Sequence, residues 1–268
     1  MSNIWILLKA QLINFFPINE IRDSRNKKQS SMAIASFGII TLSLFCFVYN
    51  IITAKTLVHV GQQNLIPAYM VSVSSFSILF LTVFYSNGIL FGSRDMEILQ
   101  SLPVKSSYII TSKFMFMYLL NFLIGLMFML PGGIIWGFNG SLNLLQIILY
   151  FTSIIFAPLI PMCIAACMGL VIVVASSFFK RKNVISLIFS FAMLGIIGYF
   201  ALSALQSGDE NNIGITLAKQ ITGLYPISRL FMSYYDFPMY FGMGFYIVLS
   251  IVIFLSICQN CFVEVCPT

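Results

Sequence analysis

Residues 145–179 read LQIILYFTSIIFAPLIPMCIAACMGLVIVVASSFF, a stretch without one Asp, Glu, Lys, Arg or His. Crossing about 30 Å of hydrocarbon takes about 20 helical residues. This segment is long enough to cross a bilayer and still project beyond it. Pro158 and Pro161 each remove a backbone donor, so a kink is expected between them. Five more stretches share the same lack of ionisable residues: 33–54, 65–92, 114–136, 184–206 and 239–258. Charge-free apolar stretches of this length are read as membrane-spanning helices. The expected fold is therefore all-α: a polytopic integral membrane protein forming a single six-helix transmembrane domain over 1–268.

Composition agrees. Apolar residues make up 59% of the 268 and charged residues 8%, against about 25% charged in a soluble domain. Mean hydropathy is +0.97. A chain this poor in charge cannot wet its own surface. Residues 1–16 (MSNIWILLKAQLINFF) lack the charged start and small-residue cleavage site of a secretory signal. Trp5, Leu8, Leu12 and Phe15/Phe16 recur at helical spacing with Asn3, Lys9 and Asn14 between them, the pattern of an interfacial helix. The six cysteines do not form a disulfide framework. Cys46, Cys163 and Cys167 lie inside apolar stretches, and the Cys258/Cys261 pair lacks the further ligands of a metal site.

Orientation follows from Lys and Arg. With the N-terminus inside, 1–32, 93–113, 180–183 and 259–268 are cytoplasmic, and of the 14 basic residues only Lys55, Lys219 and Arg229 are left outside. Both termini are then cytoplasmic. The basic clusters 22–28 and 180–182 serve as anchors on anionic headgroups of the lipid bilayer; no nucleic-acid partner is expected. The external stretch 207–238 starts polar and becomes amphipathic. Its segment 213–238, with several aromatics and Arg229, suits an interfacial helix or re-entrant turn.

The chemistry missing from the chain narrows its function. No G-x-x-x-x-G-K-[ST] phosphate loop is present, so ATP is not bound in that manner. His59 stands alone, without the partners that a zinc or serine–histidine hydrolase needs. No catalytic residue and no bound metal or cofactor is expected. The spans lack the ionisable groups of a proton- or voltage-coupled machine. Asn87 and Asn121 are the amides of note, read first as interhelical hydrogen-bonding groups and second as contacts along a transport path. Gly195/Gly198 and the run Cys163–Gly169 supply small residues for close helix approach. A transporter of this composition draws its energy from another subunit.

The loop 93–113 carries the functional signal. Within GSRDMEILQSLPVKSSYIITSK (92–113), Ser93 can cap a short helix whose first turn holds Asp95 and Glu97, favourable at the positive end of the helix dipole. Ile98, Leu99 and Leu102 fall on one side, with Met96 as a further apolar contact and Arg94, Asp95 and Glu97 flanking them. Pro103 ends the element, and Ser106 or Ser107 can begin the next helix. Such a short amphipathic helix on the cytoplasmic face suits docking in a groove of a soluble partner.

The stretch RDMEILQSLPVKSSYIITSKF resembles the corresponding cytoplasmic loop of bacterial ABC-2-type permeases, in which a Lys/Arg–Asp pair, a short apolar helix, Leu-Pro and a later Ser-Lys recur. The amphipathic N-terminus, the six spans and Leu224-Tyr225-Pro226 in the last external loop extend the resemblance over most of the chain. The resemblance implies the transmembrane subunit of an ATP-binding cassette exporter in a bacterial cell membrane. Arg94, Asp95, Met96, Glu97, Ile98, Leu99, Leu102 and Pro103 would form the coupling helix seated on a cytoplasmic ATPase subunit, which would hold ATP and Mg. The transport path would lie between two such units, a homodimer or two permease halves. The ending QNCFVEVCPT fits either a half-size subunit or the N-terminal half of a longer permease. The alternative reading is a non-enzymatic membrane assembly or immunity factor that binds another membrane protein without ATP coupling.

Overall fold

A computed structural model of the chain describes residues 5, 7–9, 11, 28–89, 106–139, 143–178, 187–192, 195, 198, 199, 220–232 and 238–265. The regular elements among them are helices: α1 (Lys28–His59), α2 (Ile66–Ile89), α3 (Ser106–Asn139), α4 (Leu144–Phe156), α5 (Leu159–Ser177) and α6 (Met239–Val265), with 3-10 turns at Gln63–Leu65 and Pro226–Phe231.

Four segments are long and apolar enough to cross a membrane: Gln63–Tyr85, Thr111–Asn139, Leu144–Ser176 and Met239–Ser256. The third is α4 and α5 taken together. Of the other two expected spans, 33–54 lies within α1, whose apolar helical part Ser43–His59 is shorter. The stretch 184–206 is described only at 187–192, 195, 198 and 199, all helical. The helices also outrun the apolar stretches. α1 continues past residue 54, so Lys55 and His59 belong to its exposed last turns. α3 starts at Ser106, one of the two serines that the sequence offers for its beginning.

α1 is closed by a Schellman motif. Gly61 has φ 76°, its N–H reaches the Val58 carbonyl at 3.0 Å, and the Gln62 N–H reaches that of Leu57 at 2.9 Å. These bonds satisfy carbonyls that a helix end otherwise leaves open, and glycine alone takes the left-handed conformation without a Cβ penalty. The chain then turns straight into α2. This connection defines one end of the bundle, the hairpin end.

α2 is the hub. It packs most extensively on α3 and α5, and also meets the Pro226–Phe231 turn; α3 packs in addition on α1 and α4, and α6 on α4 and α5. The main core lies towards the hairpin end and joins Leu57, Ile66, Met70, Trp136, Tyr150, Phe231, Met239 and Tyr246. Two smaller clusters lie farther along, Val83–Ala165–Ile172 and Met117–Met162–Ala166. Lipid is as apolar as leucine, so helices associate here through close packing and hydrogen bonds. Glycines in α3 make that packing possible: a Cβ at Gly132 would collide with Met70, and one at Gly133 with the Tyr150 ring. Cys163, Ala165 and Ala166 of the small-residue run are buried. Gly195 and Gly198, read as packing residues as well, have nothing within 4 Å of where a Cβ would stand. The exposed Leu44, Phe45, Ile52, Phe245, Val248 and Val252 form surfaces suited to hydrocarbon.

Candidate functional site

Arg94, Asp95, Met96, Glu97, Ile98, Leu99, Leu102 and Pro103 lie outside the described residues. Their two flanks are placed. α2 ends and α3 begins at the end of the bundle opposite the hairpin, because neighbouring helices here run antiparallel: Thr82 meets Asn121, whereas Met70 meets Gly132. The N-terminal helical residues reach the first turns of α3. Gln11 Nε2 donates to Ser112 Oγ at 3.4 Å, while Leu8 is buried and Lys9 and Trp5 are exposed. Apolar residue in, cation and indole out is the arrangement of an interfacial helix.

The described residues hold three polar features inside the bundle. The first joins α2 to α3. Thr82 Oγ1 donates to Asn121 Oδ1 at 3.0 Å, the Tyr85 hydroxyl donates to the same oxygen, and the two hydroxyls lie 3.1 Å apart. Thr82 and Asn121 are wholly buried. One face of Asn121 is used in this way, while its Nδ2 has no partner. Asn87 lies in α2, but its side chain is outside the described residues. Asn50, which the sequence reading passed over, is also wholly buried and donates to the Cys46 carbonyl at 2.8 Å.

The second feature surrounds the proline breaks. Pro158 separates α4 from α5. Proline has no N–H, so Pro158 withholds the helical donor of the Ile154 carbonyl and Pro161 that of Ala157. The Ala157 oxygen instead accepts the Tyr246 hydroxyl from α6 at 3.3 Å, and the Ile155 oxygen accepts that of Tyr118 from α3 at 2.8 Å. In α3, Pro131 sits inside the helix, and the Tyr150 hydroxyl donates to the nearby Met129 carbonyl at 2.9 Å. Tyrosines from neighbouring helices thus supply donors beside each proline.

The third is the segment 220–232. Residues 220–224 are helical and lead into the 3-10 turn, with Ile221, Tyr225, Ser228 and Phe231 buried. The Ile221 carbonyl accepts Ser72 Oγ at 3.1 Å and Ser228 Oγ at 3.4 Å. Ser72 lies six residues into α2, or about 9 Å along its axis, so the segment dips into the bundle. Phe231 stacks edge-on against Tyr246 with centroids 4.9 Å apart, and a Cβ at Gly242 would fall inside the Leu230 carbonyl. Burial raises the Tyr225 phenol well above its ordinary pKa, so it stays a neutral donor.

Chemically, these groups are neutral amides, hydroxyls and carbonyls, able to lock helices in register. Among the described residues no three His, Cys, Asp or Glu side chains converge. A spacing signal was available for the α2 part of this network, since Ser74, Ile78 and Thr82 recur every four residues along the face opposite Gly125 and Asn121. The tyrosine–carbonyl bonds had no such signal, because they link residues distant in sequence. No protein-family model, curated protein or solved structure matches the chain.

Proposed function

We propose that the chain is the permease subunit of an ATP-binding cassette exporter, with six spans, both termini in the cytoplasm of a bacterium, and half of the transport path. A separate ATPase subunit, holding ATP and Mg, drives it, and a second copy or a second permease half completes the path. The observation that carries this reading is the sequence RDMEILQSLPVKSSYIITSKF between two membrane-spanning helices. Its Arg94–Pro103 part forms the coupling helix.

Helix direction supports the reading. The C-terminal ends of α2 and α5 and the N-terminal ends of α1 and α3 share one end of the bundle, and in the sequence the basic residues of 22–28, 94–113 and 180–182 adjoin these ends. That is the distribution that the positive-inside rule assigns to the cytoplasm. The segment 220–232 then closes the outer end, and the N-terminal helix touches α3 just beyond the coupling segment.

The test is extraction of the whole chain from its native membrane in mild detergent, followed by identification of a copurifying ATPase. Glu97→Lys reverses a docking charge and Ile98→Asp puts a charge on the docking face. Each is expected to lower substrate-stimulated ATP hydrolysis by about tenfold or more, the cost of spoiling a buried interfacial contact. Full activity in both variants, with no ATPase bound, sinks the reading.

A further inference from the structure

α4 and α5 are one membrane-crossing segment with an interrupted ladder. Ala157 and Pro158 at the junction both keep right-handed helical angles, φ −54° ψ −38° and φ −70° ψ −21°. The Ala157 N–H still reaches the Ser153 carbonyl at 2.7 Å, and the Met162 N–H reaches that of Pro158 at 3.0 Å. Between these rungs Pro158 and Pro161 withhold two others within about one turn. Pro131 withholds only one, and α3 runs unbroken through it from Ser106 to Asn139. A helix that has lost two neighbouring rungs bends most easily at that place.

The surroundings change at the same point. α4 packs on α3 and α6, whereas α5 packs most extensively on α2 and less on α6. Tyr150, Ile154, Ala157 and Ile160 belong to the main core. Beyond them, Ala165 and Ile172 join Val83 of α2, while Met162 and Ala166 join Met117 of α3. The break therefore falls on the seam between the outer core and the inner clusters. A hydrogen bond crosses that seam: Tyr118 packs against the inner Met117–Met162–Ala166 cluster, yet its hydroxyl donates to the Ile155 carbonyl of α4 at 2.8 Å. Tyr246 and Tyr150 differ in this respect. Both lie in the main core and donate to carbonyls of residues in the same core, Ala157 and Met129.

We propose that the α4–α5 break is a joint about which the inner half-helix α5 swings while α4 stays with the outer core. The Tyr118–Ile155 hydrogen bond is its latch, tying the moving side to the fixed one. Hinges are built from a few residues at element ends that absorb the change in backbone angles, and 157–161 is such a stretch. α2 is continuous from Ile66 to Ile89, so its inner end follows α5 by gentle curvature. The joint lets the inner end of the bundle rearrange without disturbing the outer core. It requires no ATPase, and so stands apart from the permease reading.

The arm from Pro158 to Val174 is about 24 Å long. A swing of about 20°, the size of a proline kink, carries its tip about 8 Å. The test is pulsed electron spin resonance on the full chain in lipid nanodiscs, with spin-label pairs introduced as unnatural amino acids so that the native cysteines stay. Val174 of α5 is paired with Leu255 of α6 at the inner end, and Leu145 of α4 with Phe241 of α6 at the outer end; all four positions are exposed. The inner distances are expected to spread over several ångströms more than the outer ones.

Pro158→Ala combined with Pro161→Ala restores both rungs and should narrow the inner spread to that of the outer pair. Tyr118→Phe releases the latch and should widen the inner spread, whereas Tyr150→Phe, within one core, leaves it unchanged. Equal spreads at the two ends of the unsubstituted chain overturn the proposal, even if the proline variants fail to fold. So does an inner spread that survives removal of both prolines, or one that does not distinguish the two tyrosine changes.

Discussion

Helices α2 and α6 are both long and apolar enough to cross a membrane, yet 61% of the apolar window of the α2 segment is buried and only 22% of that of α6. Their serine and threonine hydroxyls differ in where they find partners. In α6, Ser250 and Ser256 donate to carbonyls one turn back in their own helix, Tyr246 at 2.7 Å and Val252 at 2.8 Å. A serine satisfied locally makes no demand on its surroundings. In α2, Ser72 donates instead to Ile221 and Thr82 to Asn121, and Ser75 interacts with the Tyr225 and Tyr246 hydroxyls. Such hydroxyls cannot face lipid, so they hold α2 at the centre of the bundle. Polar residues place a membrane helix inside by where they find their partners, and not by their number.

The largest expected effect is at an α6 position packed directly against backbone. Gly242 lies directly beneath the Leu230 carbonyl, and backbone cannot swing aside as a side chain can. Gly242→Ala is expected to cost about 2–3 kcal/mol, the upper range for overpacking a filled core. Reversible unfolding in mixed micelles should show this loss, together with faster proteolysis within 220–232 as the segment is lifted. A neutral Gly242→Ala would weaken the contrast, because α6 would then tolerate added bulk even where it meets the Leu230 backbone.

Next comes the α2–α3 junction. Asn121→Leu keeps the bulk but deprives the Thr82 and Tyr85 hydroxyls of a shared acceptor. The expected cost is about 1–2 kcal/mol, since interhelical hydrogen bonds in membranes rarely exceed that. The double variant with Thr82→Val should cost less than the sum of the two changes, a coupling that a double-mutant cycle reads directly. Gly61→Ala tests the hairpin end at about 1 kcal/mol, the cost of a Cβ at positive φ, again by unfolding in micelles.

Much of the fold was legible before any coordinates. Four of the six charge-free runs coincide with segments long and apolar enough to cross a membrane, and the prolines Pro158 and Pro161 announced the break in the fourth stretch. Helix ends were harder to read: residues 55–59 look like a polar loop, yet the helix continues to the Schellman turn at Gly61, whose hydrogen bonds involve no side chain. The candidate site was legible at Asn121 as a helix-to-helix hydrogen-bonding residue. Its partners were not, because Thr82 and Tyr85 become an acceptor's neighbours only once α2 and α3 are set in register. Tyr150 and Tyr246 were hidden for the same reason. A tyrosine within an apolar run looks like any aromatic until the carbonyl it reaches is in place.

The smallest expected effect tests the other side of the contrast. Phe245, Val248 and Val252 recur along α6 at helical spacing and are each more than half exposed, at 58%, 58% and 53%. If that face meets only hydrocarbon, Phe245→Leu and Val252→Leu exchange one lipid contact for another. Each should shift stability by no more than about 0.5 kcal/mol, as for other substitutions away from packed features. The measurement gains from repetition at several protein-to-detergent ratios. A loss above about 1 kcal/mol that grows as the protein is concentrated would mean that another subunit covers the face, since stability that depends on concentration is the signature of association. The low burial of α6 would then describe one subunit of an assembly, and the contrast with α2 would become one between two kinds of buried surface, one within the chain and one between chains.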